Sequence, residues 1–224
     1  MPGLNTNNHE YVVIGLGRFG ASVALTLSEQ GHSVLGIDSD QQVAQSMADQ
    51  LTRVVVLDST DEVALRAVDI VSFDTVIVAI GTNFEANLMT TAALKDLGVR
   101  QIICKALTVR QGSILTRVGA TRIILPEHES GQRLARELSA PWIADQIAIN
   151  DEHCISQILV PPKLDGRSIQ EADLRRRYRL ETLVVLRNGQ LTILPPPDYL
   201  LVEGDTLAVV GTNAAVARLI RAWS

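Results

Sequence analysis

Six short apolar runs mark the first part of the chain: Tyr11–Ile14, Ser33–Ile37, Arg53–Leu57, Thr75–Ile80, Gln101–Lys105 and Arg122–Leu125. Each is near-continuous rather than alternating, which is how strands buried on both faces of a parallel sheet read. Between them lie segments with helical spacing or propensity: Ala21–Gln30, Gln41–Gln50, Asp61–Val68, Ala86–Leu97 and Thr108–Val118. Gly31, Gly98 and Gly119 stand where three of these segments stop, the usual place for a residue that ends a helix. Asp61 or Thr60 is placed to cap the third. Strand and helix in regular alternation predict an α/β fold, a Rossmann-like doubly wound parallel sheet. Such sheets bind ligands at the carboxyl ends of their strands.

After the sixth run the pattern changes. A helix, Glu129–Leu138, leads to Pro141, and strand-like Cys154–Val160 precedes Pro161 and Pro162. Ile169–Tyr178 reads as a short helix. Leu183–Arg187 and Leu191–Leu194 flank Asn188-Gly189, a two-residue hairpin signal. Gly204-Asp205 is a turn, Thr206–Val210 a strand and Ala214–Trp223 a final helix. The expected organisation is a flexible tail over residues 1–8, an α/β domain over 9–128 and a crossover helix and linker over 129–141. A small α+β module follows over 142–224.

Composition narrows the function classes. The 224 residues are 46% hydrophobic but only 4% aromatic, so the core is aliphatic. A formal net charge of −5 gives no support to a nucleic-acid surface. The polar N-terminus has no apolar signal-peptide region, and no run approaches the length of a membrane span. These features predict a soluble, cytoplasmic chain. Cys104 and Cys154 lie in apolar strand-like runs and read as buried free thiols in a reducing compartment.

The chemistry gathers around YVVIGLGRFG, residues 11–20, where strand, glycine turn and helix follow one another. Gly15 permits the tight turn, Gly17 lets a pyrophosphate approach the backbone, and Gly20 lets the helix pack against the strand. The helix N-terminus then offers free N–H groups to phosphate. Asp38 ends the second strand, where a carboxylate accepts hydrogen bonds from a ribose diol and repels a 2′-phosphate. It also stands where it could cap Gln41–Gln50. Asp58 ends the third strand and faces either the adenosine half of the site or the helix it precedes. Arg18 and Phe19 occupy loop positions that many dinucleotide sites fill with small residues. A guanidinium there can meet phosphate oxygens bidentately, in its own subunit or a symmetry mate, or stay solvated. Lys105, ending the fifth strand, points to the same crevice. Glu127 follows the sixth strand; a carboxylate near polyphosphate implies a bridging divalent cation, Mg2+ or Ca2+, or else a helix N-terminal or surface role. His9, His32, His128 and His153 carry no argument. The arginines at 167, 175, 176, 177 and 179 form a solvated face or meet an anionic partner.

These stretches resemble potassium uptake regulators of the KtrA/TrkA type, an RCK N-terminal domain followed by an RCK C-terminal domain. The resemblance rests on VIGLGRFG, TVIVAIGTNFEANLMTT, ICKALT, GATRIILPEHESG, KLDGRSI and EGDTLAVVG, in the family's order across residues 10–212. A single copy of each domain is similar to the KtrA branch rather than to two-copy TrkA. The resemblance implies ATP, ADP or NAD(H) in the Rossmann site, with Arg18 reaching a γ-phosphate across a dimer and Asp38 holding the ribose. It implies that Gly15, Gly17, Phe19, Gly20, Ser39, Asp58, Ser59, Ile80, Gly81, Thr82, Lys105, Leu107 and Gln111 belong to the pocket. It implies a cation at Glu127 on the dimer interface. Dimers would assemble into an octameric ring beneath a KtrB/TrkH-like membrane potassium-translocating subunit, at the inner face of the cell membrane. ATP and ADP would set different ring shapes. Some relatives bind cyclic di-AMP through two adjacent isoleucines and an arginine; here Ile169 and Arg175 match, and Gln170 replaces the second isoleucine.

The expectation is therefore a gating subunit and not an enzyme. The alternatives are an NAD-dependent oxidoreductase and a soluble NAD(H) or redox sensor. A dehydrogenase needs an acid–base group near the hydride, and the C-terminal module offers only His153.

Overall fold

The computed structural model describes residues 9–139 and 143–223. The expected tail over residues 1–8 and positions 140–142 of the linker lie outside the described residues. The chain divides after Glu129 into two compact units.

The first unit alternates strand and helix: β1 (Glu10–Ile14), α1 (Arg18–Glu29), β2 (Ser33–Asp38), α2 (Gln41–Met47), β3 (Arg53–Val56), α3 (Glu62–Ala67), β4 (Thr75–Val78), α4 (Phe84–Asp96), β5 (Gln101–Lys105), α5 (Val109–Val118) and β6 (Arg122–Ile124). The strands are all parallel, in the order β3-β2-β1-β4-β5-β6. The order reverses between β1 and β4, and ligands bind doubly wound sheets at that switch point.

The continuous apolar runs conceal a period of two. Val12, Ile14, Leu35, Ile37, Val76 and Val78 join one core on one face of the sheet, while Val13, Val34 and Ile77 join another on the opposite face. The inner strands are therefore buried on both faces, and the edge strands β3 and β6 are partly exposed, as a covered parallel sheet requires. A short 3-10 turn at Ile70–Ser72, which periodicity did not reveal, precedes β4.

Two helices start three residues earlier than expected, and both matter. α1 begins at Arg18 rather than Ala21, with Gly17 as its N-cap. A further helix, α6 (Pro126–Ser139), begins at Pro126 rather than Glu129. Proline is well suited to a first helical position, because its fixed φ fits and its missing N–H has no partner to lose. Arg18 and Glu127 thus both lie in first turns of helices.

The second unit is an antiparallel sheet of β7 (Ile143–Ala148), β8 (His153–Leu159), β9 (Glu181–Arg187), β10 (Gln190–Ile193) and β11 (Thr206–Thr212), in the order β10-β9-β11-β8-β7. β7 went unpredicted because Asp145 and Gln146 break its apolar pattern. Asn188 and Gly189 have φ of 50° and 80°, the two left-handed residues of a tight hairpin. The predicted helix Ile169–Tyr178 is two helices, α7 (Ile169–Ala172) and α8 (Leu174–Tyr178), broken where Asp173 turns left-handed at φ 52°. Ser168 and Glu171 cap α7 reciprocally. The final helix, α9 (Asn213–Trp223), buries Ala215, Val216 and Leu219 in the second core.

Candidate functional site

A cavity of about 960 Å³ opens at the carboxyl ends of the parallel strands. Its lining includes Gly15, Gly17, Arg18, Phe19, Asp38, Ser39, Asp58, Ser59, Ile80, Gly81, Thr82, Lys105 and Glu127. Residues scattered over more than a hundred positions of sequence thus meet at one place.

The glycine turn is built from three different constraints. Gly15 has φ +90°, a conformation that disfavours any Cβ. Gly20 is outside the lining; a Cβ there would overlap the Gly15 carbonyl oxygen and lie 3.1 Å from the Ala79 Cβ. Its role is close packing of α1 on the sheet. Gly17 has an ordinary φ of −63°, and a Cβ on it would meet nothing within 4 Å. Neither strain nor packing demands this glycine, and it leaves open space above the turn. Gly17 also supplies no capping side chain, and the first turn of α1 holds no acidic residue. The free amides and the positive helix end therefore face the cavity. These features fit a nucleotide's phosphates.

Asp38 ties this turn to β2. Its Oδ2 accepts from the Leu16 amide at 2.7 Å and its Oδ1 from the Asp40 amide at 2.9 Å. An ionised carboxylate retains further acceptor directions on both oxygens, so a ribose diol can still donate to it. Asp38 does not cap α2; Asp40 does, accepting from Gln42 and Val43. Likewise α3 is capped by Asp61, not by Asp58. Asp58 instead accepts from the amide and hydroxyl of Thr60, at 2.9 and 2.7 Å. Those bonds hold its carboxyl below the usual aspartate range. Ser59 is buried and shares a 2.8 Å hydrogen bond with Thr90.

The other end of the cavity is cationic with one counter-charge. Lys105 is 9% exposed, its ammonium 2.8 Å from Glu127 Oε1 and 5.5 Å from the centre of the Phe19 ring. Gly81 makes room for it: a Cβ there would lie 3.2 Å from Nζ. The Lys105 hydrogen bond, an amide bond at the start of α6 and the charges of Lys105 and Arg18 together hold the Glu127 carboxyl below its ordinary value. Arg18 itself is exposed.

Glu127 thus meets an ammonium within its own chain. Among the described residues no cluster of three His, Cys, Asp or Glu side chains could hold a metal ion. One ammonium-paired carboxylate does not fit a divalent ion within a single chain.

Leu107 and Gln111 lie outside the cavity lining. The Gln111 side chain accepts from the Leu107 amide at 3.1 Å, closing the turn before α5 on itself. Sequence reasoning missed Asn87, which is 2% exposed in α4. Its Nδ2 donates to the carbonyls of Ile80 at 2.7 Å and Lys105 at 3.0 Å, clamping the ends of two neighbouring strands beneath the site. An asparagine within a helix whose neighbouring positions face the core was the available signal. Asn83 caps α4 at the cavity wall, which Ser22 and Ala86 also line.

Among the described residues the lining holds no histidine or cysteine. Cys104 and Cys154 are both free and buried. Burial pushes the Cys104 thiol up to about 11, against a hydrogen bond with Thr91.

In the second unit, Ile169 packs against the core, Gln170 is exposed and Arg175 pairs with Glu181 at 3.1 Å. Arg177 pairs with Asp173 at 3.5 Å. The arginines at 167, 175, 176, 177 and 179 are all exposed.

Comparison with known proteins places the chain. The TrkA-N domain family profile matches residues 11–126 and the TrkA-C domain profile residues 155–222. Ktr system potassium uptake protein A of Bacillus subtilis (strain 168) is 35% identical, over 94% of this chain and 95% of that protein. Ktr system potassium uptake protein C of the same organism is 33% identical, over 93% and 95%. Among solved structures, a GsuK channel bound to NAD superposes with a TM-score of 0.67 at 21% identity. It covers 97% of this chain and 40% of the channel chain, a likeness of fold. The names of these relatives agree with the expectation of a potassium-uptake protein rather than a dehydrogenase.

Proposed function

The chain belongs to the Ktr/Trk family of potassium uptake proteins, carrying a TrkA-N and a TrkA-C domain, and on that premise we propose that it is a nucleotide-binding regulatory subunit of a potassium uptake system. The observation that carries this reading is the cavity itself. An uncapped helix start at Gly17 and a ribose-competent Asp38 line it together with a cationic end formed by Arg18 and Lys105. Adenine nucleotides present a diol and phosphates in that order. ATP or ADP is the regulatory ligand, and NAD(H), whose oxidised form NAD is bound in the GsuK channel structure, shares the adenosine half and competes for it.

The chain acts on a membrane potassium-translocating partner. That partner supplies the pore and holds the regulator at the cytoplasmic face; among the described residues no helix is long and apolar enough to cross a membrane. The regulator works as a dimer within a larger ring. A ligand shifts a conformational equilibrium only by its differential affinity for the two states. ATP carries one phosphate more than ADP, and exposed Arg18 is the group that reads it. The phosphate contact forms in one ring arrangement only, which gives ATP its differential effect.

Arg18→Ala tests this directly. The variant is expected to bind ADP like the parent and to lose the preference for ATP, by about tenfold for one charge-assisted contact. Equal effects of ATP and ADP on affinity and assembly in the unmodified protein would overturn the reading. Reconstitution with a membrane potassium subunit, with ion flux measured against nucleotide, tests the partner.

A further inference from the structure

The pairing at the cationic end is asymmetric. Lys105 is fixed: its side chain is 11% exposed and its ammonium lies over the Phe19 ring. Its backbone is pinned through the Asn87 bond to its carbonyl. Glu127 is not fixed, because its side chain is 60% exposed and leaves from the first turn of α6. A carboxylate at that position has a second home at the amides of the helix start, which favour negative charge.

We propose that Glu127 is an internal stand-in for a ligand phosphate: its carboxylate occupies the Lys105 ammonium in the nucleotide-free protein, and a terminal phosphate displaces it on binding. The inference rests on the reading of the cavity as an adenine-nucleotide site. It makes Glu127 the residue that sets discrimination between phosphate-bearing and phosphate-free ligands. Lys105 would otherwise be a buried cation without a partner, which is costly. The same carboxylate lowers the affinity for phosphate, because every ligand that uses Lys105 must first remove it. On leaving Lys105 the carboxylate keeps its own helix-start amide and gains water, which keeps that cost small. The Lys105 bond and the carboxylate's own backbone amide hold the Glu127 carboxyl below its ordinary value, so the paired carboxylate is charged at neutral pH.

The test is equilibrium titration of the full chain with ATP and with adenosine, in EDTA to exclude bridging cations. Glu127→Gln is expected to tighten ATP binding by about tenfold and leave adenosine unchanged. Lys105→Gln is expected to weaken ATP and leave adenosine unchanged. In the Lys105→Gln background, Glu127→Gln is expected to do nothing more; that double variant has no unpaired charge and keeps the test valid should Glu127→Gln alone fold poorly. Weaker ATP binding in Glu127→Gln, or equal shifts for ATP and adenosine, would overturn the proposal while leaving the nucleotide site standing. Failure of the unmodified chain to bind either probe would overturn both.

Discussion

Two ion pairs of similar length sit in the two units and do opposite things. In the second unit Arg187 meets Asp205 through both carboxylate oxygens, at 2.8 and 2.6 Å. The Asp205 side chain is 2% exposed and also accepts from the Val202 amide at 2.9 Å, while Arg187 reaches the Leu200 carbonyl and lies 5.2 Å from the Tyr199 ring. The carboxylate is the buried member, and it nails a turn to a strand. At Lys105 and Glu127 the cation is buried and the carboxylate exposed, with one hydrogen bond between them. A pair whose anion is free to leave can exchange partners; a pair whose anion is surrounded by donors cannot. What distinguishes a structural pair from a binding one here is which member is buried, rather than how short the contact is.

The largest test of that contrast is truncation of each carboxylate. Asp205→Ala is expected to cost about 3 kcal/mol or more, since it strands Arg187 and the Val202 amide. Glu127→Ala is expected to cost less, about 1–2 kcal/mol, because Lys105 alone loses its partner. Chemical denaturation of the two variants reads both. Equal losses would break the distinction.

A second comparison lies within the glycine turn. Gly20→Ala forces a Cβ into the Gly15 backbone and is expected to cost roughly 2–3 kcal/mol in thermal or chemical unfolding. Gly17→Ala meets open space at an ordinary φ and is expected to change stability by less than about 0.5 kcal/mol, while nucleotide affinity falls. A stability loss at Gly17, or undisturbed binding, would show that the space above the turn is not where phosphate sits.

Acid gives a smaller handle. Burial alone would raise the Asp205 carboxyl, but the Arg187 and Val202 bonds outweigh it and hold it below its ordinary 3.8. A depressed carboxyl stabilises the fold fully above its unfolded value and loses that contribution as pH falls through its folded value. Stability of the second unit is therefore expected to fall as pH drops below about 4, within the range set by the ordinary carboxylate pKa. Arg187→Met is expected to remove that dependence. An unchanged acid profile in the variant would show that other groups govern it.

Much of this was legible beforehand, for physical reasons. Residues buried on both faces of a parallel sheet must be apolar without interruption, so the six strands announced themselves. Gly15 and Gly20 are dictated by backbone geometry that only glycine meets, and Asp38 by its place after β2. The rest depended on which of several equivalent residues took a role. Asp38 and Asp40 lie two residues apart, and only the backbone path decides that Asp40 caps α2. Asp58 and Asp61 divide their roles in the same manner. Lys105 and Glu127 are partners across two strands, a contact no local pattern encodes. Asp205 looked like a turn residue and is the buried anchor of its unit. Asn87 satisfies strand ends far from it in sequence, and β7 carries polar residues where its pattern should have been apolar.

The central claim is that the cavity at the strand ends binds an adenine nucleotide through Asp38 and the Gly17 turn. Calorimetric titration of the purified chain with ATP, repeated on Asp38→Ala, tests it most directly. Saturable binding at one site per chain is expected, competed by ADP and weakened at least about tenfold in the variant, which loses the ribose contacts. Absence of saturable binding, or an affinity indifferent to Asp38, would contradict it.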